Sequence, residues 1–98
     1  DPPRQDPRWV RVACAFLDAA RETGDPSHYD RAATALARAE AQGDDPYAIL
    51  RTRAWVALGR HAFADALRLA RTARRLIDGK GAARVARAIR RRLRLGDA

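Results

Sequence analysis

Apolar and polar positions along the chain alternate with a helical period in five successive stretches. In the first, Trp9, Val12, Ala13, Phe16, Leu17 and Ala20 recur at three- and four-residue steps, which places them on one face of a helix. Tyr29, Ala32, Ala33, Leu36 and Ala39 do the same in the second. The spacing predicts helices over 7–23, 27–42, 46–60, 63–77 and 81–95. Punctuation agrees with these bounds. Asp6-Pro7, Asp25-Pro26-Ser27 and Asp45-Pro46 have a capping carboxylate beside a proline that needs no amide partner in a first turn. The six glycines fall at the expected boundaries, where a helix can end with positive φ. Asp78-Gly79-Lys80-Gly81 is expected to separate the last two helices.

The stretch from Tyr47 to Ile77 repeats what precedes it. Shifted back by 34 residues, Phe63, Ala66 and Ala73 fall on Tyr29, Ala32 and Ala39, while Leu50 and Ala54 fall on Phe16 and Ala20. A fixed period of this size is the mark of stacked helical hairpins, each burying its face against the next.

These residues resemble the tetratricopeptide repeat. Ala20, Ala54 and Ala88 match the small residue inside the first helix of each unit. Tyr29 and Phe63 match the aromatic opening the second helix, Ala32 and Ala66 the alanine three residues later, and Ala39 and Ala73 the small residue further on. The chain departs from the pattern at Ser27 and His61, which stand where the family has glycine, and at Ala70, where Leu36 in the first unit keeps the large residue. The resemblance implies an all-α, right-handed stack of helical hairpins, with units at about 13–46 and 47–80, a capping helix over 81–95, a lead-in at 1–6 and a tail at 96–98. A generic five-helix bundle is the alternative fold.

Composition supports an all-helical chain: alanine dominates the apolar content, and β-branched and aromatic residues are few. The 98 residues fit one domain. Net charge is +8, and 19 of the 20 basic residues are arginine. Residues 79–98 hold seven positive charges (Lys80, Arg84, Arg87, Arg90, Arg91, Arg92 and Arg94) against Asp97, which leaves the rest of the chain at +2. One cysteine, Cys14, permits no intrachain disulfide. No apolar run is long enough to span a membrane.

The chemistry points away from catalysis. His28 and His61 have no partner at metal-ligand spacing. Cys14 has no neighbouring histidine and reads as a small, buried or half-buried side chain. Gly79-Lys80-Gly81 lacks the spacing and the preceding strand of a phosphate loop. The carboxylates Asp6, Asp25, Asp44, Asp45 and Asp78 are expected at helix starts, where capping accounts for them. The chain is thus read as a non-enzyme without metal or cofactor.

Binding is better supplied. Helix angles put Tyr47, Leu50, Ala54, Ala57 and Leu58 on an arc expected inside the hairpin, beside a second arc of Ala48, Arg51, Thr52 and Trp55. The resemblance makes that second arc, with Arg21 of the first helix, a peptide groove. Arg21, Arg51, Thr52 and Trp55 are therefore the candidate binding residues, for a protein or peptide partner and an acidic one in particular. Arg84, Arg87, Arg91 and Arg94 form a basic surface. Two further readings stay open: a nucleic-acid-binding helix built on those arginines, and a homo-oligomerisation domain whose open stack ends pair. The last helix is expected to close the stack, packing Ala82, Val85, Ala86, Ile89 and Leu93 onto helices three and four and turning Arg84 and Arg91 to solvent.

Overall fold

The computed structural model describes residues 7–96, with the side chains of residues 80–86, 95 and 96 left undescribed. It contains four helices and, among the described residues, no strand: α1 (Arg8–Thr23), α2 (Ser27–Gln42), α3 (Pro46–Gly59) and α4 (Phe63–Gly96). The chain is all-α. The expected lead-in at 1–6, Asp6 and Asp97 lie outside the described residues.

Local chemistry sets most of the ends. Gly24 and Gly43 close α1 and α2 in the left-handed region, at φ 72° and 81°, and the Gly24 amide donates to the Ala20 carbonyl at 2.9 Å. Such a conformation costs glycine nothing and other residues a Cβ clash. The Asp25 carboxylate accepts from the Ser27 amide at 2.9 Å, and that of Asp45 from the Tyr47 amide at 3.2 Å, with Pro46 in the first turn of α3.

The turn from α3 to α4 is built differently from its expectation. His61, not Gly59, takes the left-handed conformation there, at φ 60°. Gly59 serves a close approach: a Cβ at that position would run into the ring of Tyr29 on α2.

The fold is two helical hairpins, α1/α2 and α3/α4, with α3 lying against both helices of the first. Its buried stripe is Ile49, Thr52 and Val56, spaced i, i+3 and i+7, which is one helix face. This stripe covers Ala13, Leu17, Ala32, Ala35 and Leu36 in one apolar cluster and Val10 and Ala39 in a second. The many alanines let the axes approach closely, so a small core is made from short side chains. The arc expected inside the second hairpin is only partly enclosed. Tyr47, Leu50 and Ala54 are half-buried and Leu58 is exposed; Ala57 alone of that arc is buried.

The fourth and fifth helices predicted from sequence are one. α4 runs unbroken through Asp78, Gly79, Lys80 and Gly81 to Gly96. Each glycine there costs about 1 kcal/mol relative to alanine, but no proline interrupts the carbonyl ladder, and the flanking residues are strong helix formers. Asp78 therefore sits inside a helix, 3.9 Å from Arg74 one turn back, and caps nothing. Asp44 is no cap either: it is buried, and among the described residues neither carboxylate oxygen has a hydrogen-bond partner.

A continuous α4 also removes the expected cap. Its packing partner is α3, and Ile89 and Leu93, expected to fold back onto α3 and α4, stand 55% and 64% exposed. The rest of that stripe, Ala82, Val85 and Ala86, and also Arg84, falls among the undescribed side chains.

Candidate functional site

The second hairpin carries an open groove of about 660 Å³ on the side turned away from α1/α2. α3 supplies one wall with Tyr47, Arg51, Ala54, Trp55 and Leu58; α4 supplies the other with Ala66, Ala70, Ala73, Arg74, Ile77 and Asp78. Ala66, Ala70, Ala73 and Ile77 follow one another at steps of four, three and four, as one helix face requires, and Arg74 and Asp78 stand one residue beyond Ala73 and Ile77. Alanines form the floor. Trp55, 49% exposed, and the exposed Leu58 and Ile77 stand around it as larger apolar groups.

The rim is cationic. The Arg21 guanidinium reaches across from α1 to lie 5.6 Å from the centroid of the Trp55 ring, within range of a cation–π contact. Arg51 lies 5.7 Å from the centroid of Tyr47 on its own helix. Arg74 closes the far side, with Asp78 beside it. Arg21 also lies 3.7 Å from Asp18, in a pair that water screens on both sides. An apolar floor with planar cations at its edge can bury an apolar stripe and pair its flanking carboxylates.

Of the four groove residues expected from sequence, the structure brings Arg21, Arg51 and Trp55 together. Thr52 is not among them. It is 1% exposed, faces the first hairpin, and donates its hydroxyl to the Ala48 carbonyl at 2.7 Å. A hydroxyl satisfied one turn back can be buried at little cost, and that is why a polar residue sits at an α3 core position. The α4 wall was missed altogether. Its signal lay in the repeat: Ala66, Ala70 and Ala73 stand 34 residues after Ala32, Leu36 and Ala39.

The basic surface is carried by the distal half of α4, where Arg87, Arg91 and Arg94 are exposed, and the side chain of Arg84 is outside the description. The two histidines lie apart from the groove wall. His28 stacks on Phe16, ring centroids 6.1 Å apart, and His61 meets the edge of Phe63 at 5.7 Å. Cys14 is half-buried against the second apolar cluster. Among the described residues, no group of three or more histidine, cysteine or acidic side chains is placed to hold a metal ion, and no helix is long and apolar enough to cross a membrane.

Comparison of the chain with protein-family models, with curated proteins and with solved structures finds no match.

Proposed function

We propose that the chain is a tetratricopeptide-like, non-catalytic binding module that takes an amphipathic helix into the groove between α3 and α4. One observation carries this reading: the corresponding face of the first hairpin already holds a helix, α3. Ala20, Ala32 and Ala39 are buried there, and Ala54, Ala66 and Ala73, one period later, line the open groove. The site thus has the shape of a helix seat without a helix in it. The rim refines the partner. A stripe of leucine-sized side chains fits the alanine floor, and carboxylates beside that stripe meet Arg21, Arg51 and Arg74.

The test is calorimetric titration with a synthetic helical peptide carrying leucines at i, i+3 and i+7 and flanking glutamates. Binding is expected to weaken steeply with added salt. Arg51→Glu should weaken it at least about tenfold, the size of one charge-assisted contact, with little change in melting temperature, because Arg51 is exposed. Ala70→Glu should abolish it. Peptide binding that ignores both substitutions would sink the reading. Exposed Arg87, Arg91 and Arg94 favour a second reading, phosphate-backbone binding by the distal half of α4. It predicts single-stranded nucleic acid binding lost on Arg87→Glu/Arg91→Glu and insensitive to Ala70→Glu.

A further inference from the structure

We propose that the outer face of the first hairpin binds single-stranded nucleic acid, stacking bases on Trp9 and Phe16 and pairing phosphates with Arg38 and Arg31. The site stands apart from the α3/α4 groove and from distal α4. It is an open groove of about 410 Å³ between α1 and α2. Trp9, Val12 and Phe16 line it from α1 at i, i+3 and i+7, and Arg31, Ala35 and Arg38 from α2 at i, i+4 and i+7. Each set is one helix face. The α1 trio packs on the main apolar cluster, yet each member stays only half-buried.

Rings and cations are matched along this groove. The Arg38 guanidinium lies 4.7 Å from the centroid of the Trp9 ring. At the other end Phe16 stacks on His28 with 21° between the ring planes, and the Arg31 guanidinium is 3.5 Å from the His28 Nδ1. Trp9 and Phe16 are seven residues apart, as are Arg31 and Arg38, which is about 10.5 Å along a helix axis. That length holds about three base steps at the stacked rise of about 3.4 Å. Every base offers a π-face to a ring, and a guanidinium offers paired donors to a phosphate.

The charge of this face suits such a ligand. Elsewhere arginines are paired with carboxylates: Arg53 with Glu40, Arg60 with Asp30, and Arg21, Arg68 and Arg74 with an aspartate three or four residues away. Among the described residues, Arg31 and Arg38 have no carboxylate within ion-pair distance, and their contacts are His28 and Trp9. Asp25 senses Arg31 from beyond that distance, and Asp30, at the groove's edge, is held by Arg60. The pattern is not a demand of the repeat. Thirty-four residues on, Phe16, Arg31 and Arg38 give way to Leu50, Asp65 and Thr72, and the second hairpin forms without it. A carboxylate-bearing peptide would satisfy the arginines and leave the rings without planar partners, whereas a single strand satisfies both.

Fluorescence anisotropy of a labelled oligothymidylate, titrated with the whole chain across a range of salt, tests the proposal. Binding is expected, and Arg31→Ala/Arg38→Ala should weaken it at least about tenfold at low salt. The slope of log affinity against log salt should shrink in that variant by about 1.4, which is about 0.7 for each lost phosphate contact. Both arginines are exposed, and circular dichroism checks that the helices persist. An abasic strand of the same length and charge should also bind at least about tenfold more weakly, because its stacking on Trp9 and Phe16 is lost. No binding by the unaltered chain overturns the proposal, as does undiminished binding by Arg31→Ala/Arg38→Ala. An abasic strand held as tightly as the intact one overturns it too, since charge alone is then recognised. Loss of binding on Arg87→Glu/Arg91→Glu, with Arg31→Ala/Arg38→Ala unaffected, would assign the strand to distal α4 instead. Polyglutamate that displaces the labelled strand as well as unlabelled oligothymidylate does would make this face an acidic-peptide surface and overturn the nucleic-acid assignment.

Discussion

The two hairpins present the same face to different surroundings. On the first, Ala13, Leu17, Ala20, Ala32, Leu36 and Ala39 are buried, covered by α3. On the second, the residues 34 positions later are Tyr47, Arg51, Ala54, Ala66, Ala70 and Ala73, and Ala73 alone of these is buried. The substitutions between the faces follow from that exposure. Leu17 has become Arg51, whose charge would be costly under a packed helix and is cheap at a rim. Leu36 has become Ala70, which lowers the floor. Ala13 has become Tyr47, large and amphipathic. The same spacing thus bears a covered core in the first hairpin and an open groove in the second.

The comparison can be broken most severely at its centre. Leu36 has no exposed surface and touches both α1 and α3 through the main apolar cluster. Leu36→Ala should cost about 2–5 kcal/mol, the usual toll of a cavity left by a buried leucine. Ala70→Leu, the reciprocal change on the open face, should stay within about 0.5 kcal/mol, as exposed substitutions do. Urea denaturation of both variants decides the matter. Similar losses at the two sites would show that the second face is covered in solution.

A smaller effect tests the helix that leaves the second hairpin. Gly79 has helical surroundings, no positive φ, and open space where a Cβ would stand. Gly79→Ala should therefore stabilise α4 by about 0.5–1 kcal/mol. Hydrogen exchange of the amides around it should slow accordingly. Faster exchange, or lost ellipticity at the helix minimum, would mean that a turn forms at 78–81 and that the distal helix folds back.

The smallest effect belongs to the first hairpin's turn. The amide and hydroxyl of Ser27 hold the Asp25 carboxyl below its ordinary value of 3.8. A depressed folded-state pKa contributes stability above the unfolded value and loses it as pH falls through the folded one. Asp25→Ala should thus lower the melting temperature slightly at neutral pH, and the deficit should close as pH drops from about 4 through the folded-state pKa, which lies below 3.8. A deficit that stays constant down to that range would assign the effect to helix geometry rather than to the ionised cap.

The sequence by itself determined the local structure. Asp45-Pro46 and the glycines at 24 and 43 set helix ends because their chemistry acts within one turn, and the bounds of α2 follow from sequence alone. The apolar spacing predicted an all-helical chain, and helix angles placed Arg51 and Trp55 on one face of α3. Tertiary structure decided the rest. Thr52 reads as a surface residue until its hydroxyl is seen to bond Ala48 beneath the first hairpin. Gly59 does end α3, but its glycine answers to the Tyr29 ring packed against it and not to a positive φ. Gly79 and Gly81 read as a break, yet the balance there is close: a glycine penalty of about 1 kcal/mol each opposes the continuation of a hydrogen-bonded ladder, and the period of the pattern is the same whether the helix bends or runs on. Which side of α3 meets the first hairpin, and which is left open, depends on packing between segments far apart in the chain. Apolar spacing finds a face but not what covers it.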